Sequence, residues 1–336
     1  MIARFVFLFL LSGFIFSFTG WTNLVRAEDA QATGKQVWID TDISTGLAFK
    51  DVDDGYALTH ALKHYPDAVA GISVTYGNAP TLARPLKIAA KVLALNGQSQ
   101  ESIPLYSGAT SPTDFDSAGS RALAEFLRQR SANAPIAVLA LGRLTTIAGA
   151  FRLYPEGVSK VSEVIFVGGR RLDYEPRVGK RQFVLTDSNY WGDEASFDEL
   201  LGHGLHFALI STEVALHFEI TPADLRLLSQ SGGASAWLAR HSKLWLRIWR
   251  LGLRENGFLP FDLLASVYFN SPEKMTCDDQ LGLRILSLPD FSFGKRGKKN
   301  RNHPVVSENF SESRGLIRYC HSAGPAFHDQ VLEELL

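Results

Sequence analysis

An α/β domain built on a mostly parallel central sheet flanked by helices is the fold that this sequence predicts. Three observations carry that reading. Apolar, β-branched runs recur at residues 69–76, 136–141, 164–167 and 206–210, with helix-like segments at 82–95, 123–128, 146–153 and 193–201 between them. Strands that are apolar on both faces and alternate with helices belong to parallel sheets covered on two sides. No repeat, low-complexity tract or shift in composition marks a linker, so residues 36–336 read as one large domain, although length alone also allows two.

At the N-terminus, Arg4 precedes an apolar run from Phe5 to Phe18, and no acid appears before Glu28. With Val25-Arg26-Ala27 at its end, the stretch 1–27 reads as a secretory signal peptide cleaved after Ala27, and 28–35 as the flexible start of the mature chain. The other reading is an uncleaved anchor, for which the run is short and interrupted by glycine and serine. Either one exports the remaining chain, into a periplasm or out of the cell, with no stable membrane insertion after cleavage. Loss of Arg4 and Arg26 from 34 basic against 35 acidic residues leaves a net charge near −3. That balance excludes a nucleic-acid footprint. The basic run Lys295, Arg296, Lys298, Lys299 and Arg301 lacks interleaved aromatics and reads as a solvated loop. Cys277 and Cys320 have the compartment to pair, but sequence does not show that their α-carbons approach.

Val37, Trp38 and Ile39 open a buried strand, and Tyr56, Ala57, Leu58, Ala61 and Leu62 an apolar helix. Five aspartates, Asp40, Asp42, Asp51, Asp53 and Asp54, fall around the connection between them. In open α/β sheets, ligands bind at the carboxyl ends of strands. Carboxylates packed so densely repel one another and hold protons unless a cation compensates them. Oxygen-only donors suit a hard ion, calcium or magnesium. A solvated acidic turn is the plainer alternative; the apolar strand directly before the acids, and Gly46 and Gly55 among them, weigh against it.

Later segments repeat the pattern of polar groups at strand ends: Val74-Thr75-Tyr76-Gly77-Asn78, then Leu141-Gly142-Arg143-Leu144-Thr145-Thr146, then Val167-Gly168-Gly169. Asp187 and Asn189 precede Trp191-Gly192-Asp193-Glu194-Ala195, a helix start with acids in its first turn. Thr221-Pro222-Ala223-Asp224 predicts another helix start, with a capping threonine and proline at the first helical position. Asp262, before an apolar helix, reads singly as an N-cap.

Taken in order, these pieces resemble the inosine–uridine nucleoside hydrolase family. Its opening motif D-T-D-P-G-x-D-D-x-x-A-L is matched by Asp40-Thr41-Asp42 and Asp53-Asp54-Gly55-Tyr56-Ala57-Leu58, with an insertion (44–51) replacing the usual Pro-Gly. The resemblance runs on through 74–78, 103–109, 141–148, 166–169, 187–195, 209–221 and 261–265. It implies a Rossmann-like core and hydrolysis of ribonucleosides, small-molecule substrates, to free base and ribose. It further implies a Ca2+ ion held by Asp42, Asp54, Asp262 and the main-chain carbonyl of Leu141, with Asp42 also taking a proton from the attacking water. Asp53, Asn78, Asp187 and Asn189 then correspond to ribose-binding groups, Asp187 standing where the family usually has glutamate. A homo-oligomer is left open.

The chain departs from the family at its leaving-group acid. Many members carry histidine immediately before the late metal aspartate; here that residue is Phe261, which has no proton to give. His241, Glu255 and Tyr190 are candidate substitutes, and Tyr190, Trp191, Trp245 and Trp249 candidates for stacking on the base. His241 also shares helical spacing with Trp237, Trp245 and Trp249, so the plainer reading is one stripe of an amphipathic helix. Two other functions stay in view: a nucleoside- or ribose-binding protein that keeps the calcium site without turnover, and a haloacid dehalogenase-like phosphatase with Asp40 as nucleophile.

Overall fold

Residues 35–290, 299–310 and 313–336 are described by the computed structural model. The expected signal peptide, and residues 28–34 of the expected flexible start, lie outside the described residues. The chain begins with β1 (Val37–Thr41), α1 (Asp53–His64), β2 (Val69–Val74), α2 (Ala83–Leu95), β3 (Leu105–Ser107), α3 (Ala118–Gln129), β4 (Ile136–Ala140), α4 (Thr145–Leu153) and β5 (Val161–Val167). Short elements follow: β6 (Arg170–Arg171), β7 (Arg177–Val178), β8 (Phe183–Val184), α5 (Ser188–Trp191), α6 (Glu194–Gly202), β9 (Phe207–Ile210) and α7 (Thr212–Ala215). After α8 (Pro222–Gln230), α9 (Gly233–Ile248) and α10 (Phe261–Asn270), the chain closes with β10 (Met275–Asp290), β11 (Lys299–Ser307), β12 (Leu316–Ala323) and α11 (Phe327–Leu335).

Side-chain alternation sorts each central strand between two cores. In β4, Ile136, Val138 and Ala140 enter one cluster with Leu123, Phe151 and Phe197. Ala137, Leu139 and the following Leu141 enter the other, with Leu58, Val92 and Leu264. Strands β5 and β9 divide the same way. This double burial is why the strands read as unbroken apolar runs. Each fully buried leucine or phenylalanine contributes ~1.5–3 kcal/mol, so two such cores hold the sheet whatever the acidic loop does.

One sheet runs β3-β2-β1-β4-β5-β9-β12-β10-β11-β6. It is parallel from β3 to β12, and β10 is antiparallel to both of its neighbours. The result is a single α/β domain with a mostly parallel sheet flanked by helices. From β1 the chain first moves outward to β3 and then back across to β4, so the strand order reverses between β1 and β4. Connections leave that pair in opposite directions and open a crevice at its carboxyl end.

The α8 start forms as its sequence predicts: Thr221 accepts from the backbone of Ala223 and Asp224, and Asp224 accepts in return from the Thr221 backbone N–H at 2.8 Å. The antiparallel ribbon β10–β11–β12 is not evident in the sequence. Lys299 and Arg301, expected in a solvated loop, lie in β11, because ladder pairing with β10 outweighs their polarity. The pairing that sequence left open is made: Cys277 and Cys320 stand opposite each other on β10 and β12 and form a disulfide. Strand β6 follows β5 after only Gly168 and Gly169, yet it pairs with β11 through Arg170↔Val305. Three strands separate β5 from β11 in the sheet, so the ribbon must curl back over the carboxyl edge. Among the described residues, no helix is long and apolar enough to cross a membrane.

Candidate active site

Three elements aim carboxylates into the crevice. Asp42 follows β1, Asp53 and Asp54 open α1, and Asp262 lies in the first turn of α10, which packs on α1. Two helix N-termini thus face the acids, each offering partial positive charge. Asp262 does not cap its helix; Pro260 occupies that position. The Thr41 hydroxyl donates to Asp54 Oδ1, and Asp262 is close enough to Asp53, Asp54 and Asp42 for their charges to repel. The Asn78 amide donates to Asp42 Oδ1 at 3.1 Å and to Asp51 Oδ1 at 3.0 Å, while Ser44 donates to the same Asp51 oxygen at 2.8 Å. Oxygens of Asp51, Asp53 and Asp54 lie within 4.8 Å of one another. The structure therefore joins Asp42, Asp54 and Asp262 in one cluster, and adds Asp51 from the insertion.

Burial, and then mutual repulsion, raises the proton affinity of Asp42, Asp53, Asp54 and Asp262 well above that of ordinary carboxyls. Burial raises Asp51 as well, against the bond from Ser44. Arg143, its guanidinium 4.8 Å from the Tyr76 ring centroid, acts on Asp42 in the opposite direction. Asp53 Oδ1 and Asp54 Oδ2 are buried with no hydrogen-bond partner. Orphaned carboxylate oxygens in a cluster with this charge fit a hard divalent cation. Asp40 is different. It is fully buried, accepts from Ser73 and is pushed up to about 8 by burial. It does not line the cavity described next, where a phosphatase would need its nucleophile.

Asp42, Asp51, Asp53, Asn78, Asp187, Asn189 and Asp262 share the wall of a cavity of about 180 Å³. Two strand-end glycines make room for its carboxylates. A β-carbon on Gly77 would lie 1.9 Å from Asp42 Oδ2, and one on Gly168 2.2 Å from Asp187 Oδ2. Asp187 caps α5 by accepting from the Tyr190 N–H at 2.9 Å, and burial pushes it up to about 7 against that bond. Asn189 donates its amide to the Leu141 carbonyl at 2.8 Å. That contact links a predicted sugar contact to the predicted main-chain ligand, and a carbonyl oxygen has a second lone pair free for a cation.

Apolar groups, among them Trp245, Leu259, Phe261, Pro176 and Leu185, line the same cavity. The other base-side candidates do not line it. Tyr190 is buried in the core, edge-on to Phe197 at 5.2 Å. Trp249 is buried 6.3 Å from Phe261. His241 lies against Gly46, its Nδ1 2.8 Å from the Trp237 carbonyl one turn back, and Glu255 accepts from the Gly179 backbone. Trp191 donates Nε1–H to the Asn302 carbonyl at 2.8 Å. Sequence reasoning had not placed Arg170, Glu175 and His303 on this wall; only the curl of the β10–β11 ribbon brings His303 there.

Fold and crevice together define an α/β protein with an acidic site at the switch point of a parallel sheet. Residues 37–309 match the family described as inosine-uridine preferring nucleoside hydrolase, and the chain belongs to that family. Among solved structures it is similar to a plant nucleoside hydrolase, at 19% identity and TM-score 0.70 over 90% of this chain and 98% of that one. A purine-preferring ribonucleoside hydrolase from Gardnerella vaginalis shares 17% identity with TM-score 0.67, over the same shares of the two chains. The inosine-uridine preferring nucleoside hydrolase of Bacillus anthracis shares 14% with TM-score 0.63, again over 90% and 98%. These likenesses establish the fold. No curated protein matches the sequence.

Proposed function

We propose that the protein is an exported ribonucleoside hydrolase, splitting the N-glycosidic bond into free base and ribose. One observation carries the proposal. Asp42, Asp54 and Asp262, from three distant elements, meet beside a cavity whose wall also holds Asp53, Asn78, Asp187 and Asn189. In this reading Asp42, Asp54, Asp262 and the Leu141 carbonyl hold calcium. Bound there, the ion would supply a Lewis acid that lowers the pKa of the attacking water. Asp42, oriented by Asn78, takes the proton from that water. Bond cleavage leaves positive charge on the anomeric carbon and ring oxygen, as in glycoside hydrolysis. Carboxylates and amides around the sugar stabilise that charge without reorganising. Export, with residues 1–27 as the signal peptide, is supported by the N-terminal pattern and by the Cys277–Cys320 disulfide, which persists in oxidising compartments.

Phe261 in the cavity wall favours a second reading, a nucleoside-binding protein without turnover. One experiment separates the two: the mature protein, with calcium and then with chelator, incubated with a panel of purine and pyrimidine ribonucleosides while base and reducing sugar are quantified together. Equal, chelator-sensitive release of both products is expected. Chelator-insensitive release would overturn the metal assignment, and calorimetric binding without release would make the protein a binder.

A further inference from the structure

Cleavage of a nucleoside needs a proton for the departing base, because a purine or pyrimidine anion leaves poorly and a positioned acid lowers that barrier. Phe261 carries none. Outside the acid cluster, the titratable groups on the cavity wall are Arg170, Glu175, Asp187 and His303. Glu175 is ion-paired with Arg177, and Asp187 is turned to cap α5. An arginine keeps its proton throughout. His303 is the one imidazole lining the cavity among the described residues.

Its position is set by a strand. His303 lies opposite Leu286 in the β10–β11 ladder and two residues before Val305, which pairs with Arg170, another residue of the cavity wall. Its ring stands edge-on to Trp191, with centroids 5.4 Å apart. Trp191 is itself fixed by its bond to the Asn302 carbonyl and by the Arg301 guanidinium 4.1 Å from its ring centroid. The Asn302 amide donates to Glu194 Oε2 at 2.8 Å, tying the ribbon to α6. An imidazole held this way enters the cavity from the ribbon, while the sugar-side carboxylates enter from β1, α1 and α10.

Building on the ribonucleoside hydrolase reading, we propose that His303 is the leaving-group acid of this chain, taking the part that Phe261 cannot. As the N-glycosidic bond breaks, its electron pair passes to the base, and an imidazolium N–H proton moves to a ring nitrogen of that base. The water oxygen forms the new bond to the anomeric carbon, and the water's proton goes to Asp42. Neutral base and ribose leave; Asp42 then loses its proton to solvent and the imidazole regains one.

The test compares inosine with 4-nitrophenyl β-D-ribofuranoside, whose nitrophenolate departs without protonation, using the full mature protein in calcium. His303→Gln is expected to lower kcat on inosine by ~10²-fold or more, and on the nitrophenyl riboside by less than about threefold. Added imidazole is expected to restore inosine turnover to His303→Ala. Equal losses on both substrates, or unchanged inosine turnover, would overturn the assignment. So would a wild-type protein that cleaves the nitrophenyl riboside but no nucleoside. A wild type inert toward both would overturn the hydrolase reading itself, and the role of His303 with it.

Discussion

Removing calcium should destabilise the protein, and more so at high pH. Asp42, Asp53, Asp54 and Asp262 all have proton affinities raised by burial and by one another. Without a cation, the folded chain retains protons that the unfolded chain gives up above about pH 4. Stability from such raised groups is complete below that unfolded value and is lost as pH rises through the folded one. A bound divalent ion replaces those protons and removes the loss. At a hundredfold excess over its dissociation constant, a ligand confined to the folded state adds ~2.7 kcal/mol. For a domain of about 300 residues, an unfolding entropy near 2.1 cal/mol/K per residue gives roughly 0.6 kcal/mol per degree. The melting temperature should therefore rise by about 4 °C on adding saturating calcium to chelated protein at pH 8. The rise should shrink at pH 5.5. Asp262→Asn, with one repelling charge fewer, should melt higher than wild type in chelator and gain less from calcium. Differential scanning calorimetry reads all of this. Superimposable melts in calcium and chelator at pH 8, or a larger shift at pH 5.5 than at pH 8, would refute the reasoning.

Gly77→Ala places a methyl carbon 1.9 Å from Asp42 Oδ2, so that carboxylate must move; on the general-base role proposed for Asp42, kcat for ribonucleosides should fall ~10²-fold or more, measured as base release. Cys277→Ser opens a bridge spanning a sequence separation of 43; chain-entropy reasoning puts the loss on the order of 4 kcal/mol. Melting should drop by roughly 6 °C for a domain this size, and reductant should lower the wild type but not the variant. Glu334, pushed down to about 2 by His60 and Lys274 against its partial burial, stabilises the fold above the ordinary carboxylate range and loses that effect as pH falls toward 2. The urea-midpoint gap between wild type and Glu334→Gln should accordingly close between pH 5 and pH 2.

What was legible in the sequence was what contiguous residues encode. The strand–acids–helix passage from Val37 to Leu62 shows its character in one glance because β1 is apolar on both faces and α1 is buried along most of its length. The central strands are legible for the same reason. The β10–β11–β12 ribbon is not: Arg284 and Ser287 alternate with apolar residues in β10, a signal that is weak without its partner strand, and β11 carries the polar run Asn300-Arg301-Asn302-His303. Asp262 looked like an N-cap by itself, and only the resemblance assigned it a ligand's part. Asp51 was visible as one acid among five, but its place depends on Ser44 and Asn78, contacts of a folded insertion.

The same distinction explains how this chain accommodates its site. Five clustered carboxylates oppose folding, and Thr41, Ser44, Asn78, Arg143 and the two helix N-termini beside them offset part of that repulsion. The rest of the support comes from afar: Leu139 and Leu141 in one core, Val138 and Phe151 in the other. Because those cores are continuous beneath the crevice, the loops above it are free to change chemistry without unmaking the sheet. An insertion replaces Pro-Gly after Asp42, phenylalanine stands before Asp262, and a ribbon from the far edge supplies an imidazole. Substitution at the proposed base side combined with retention at the proposed sugar side is the pattern expected if metal and ribose contacts are fixed by strands and helix ends, and base contacts by what curls over them.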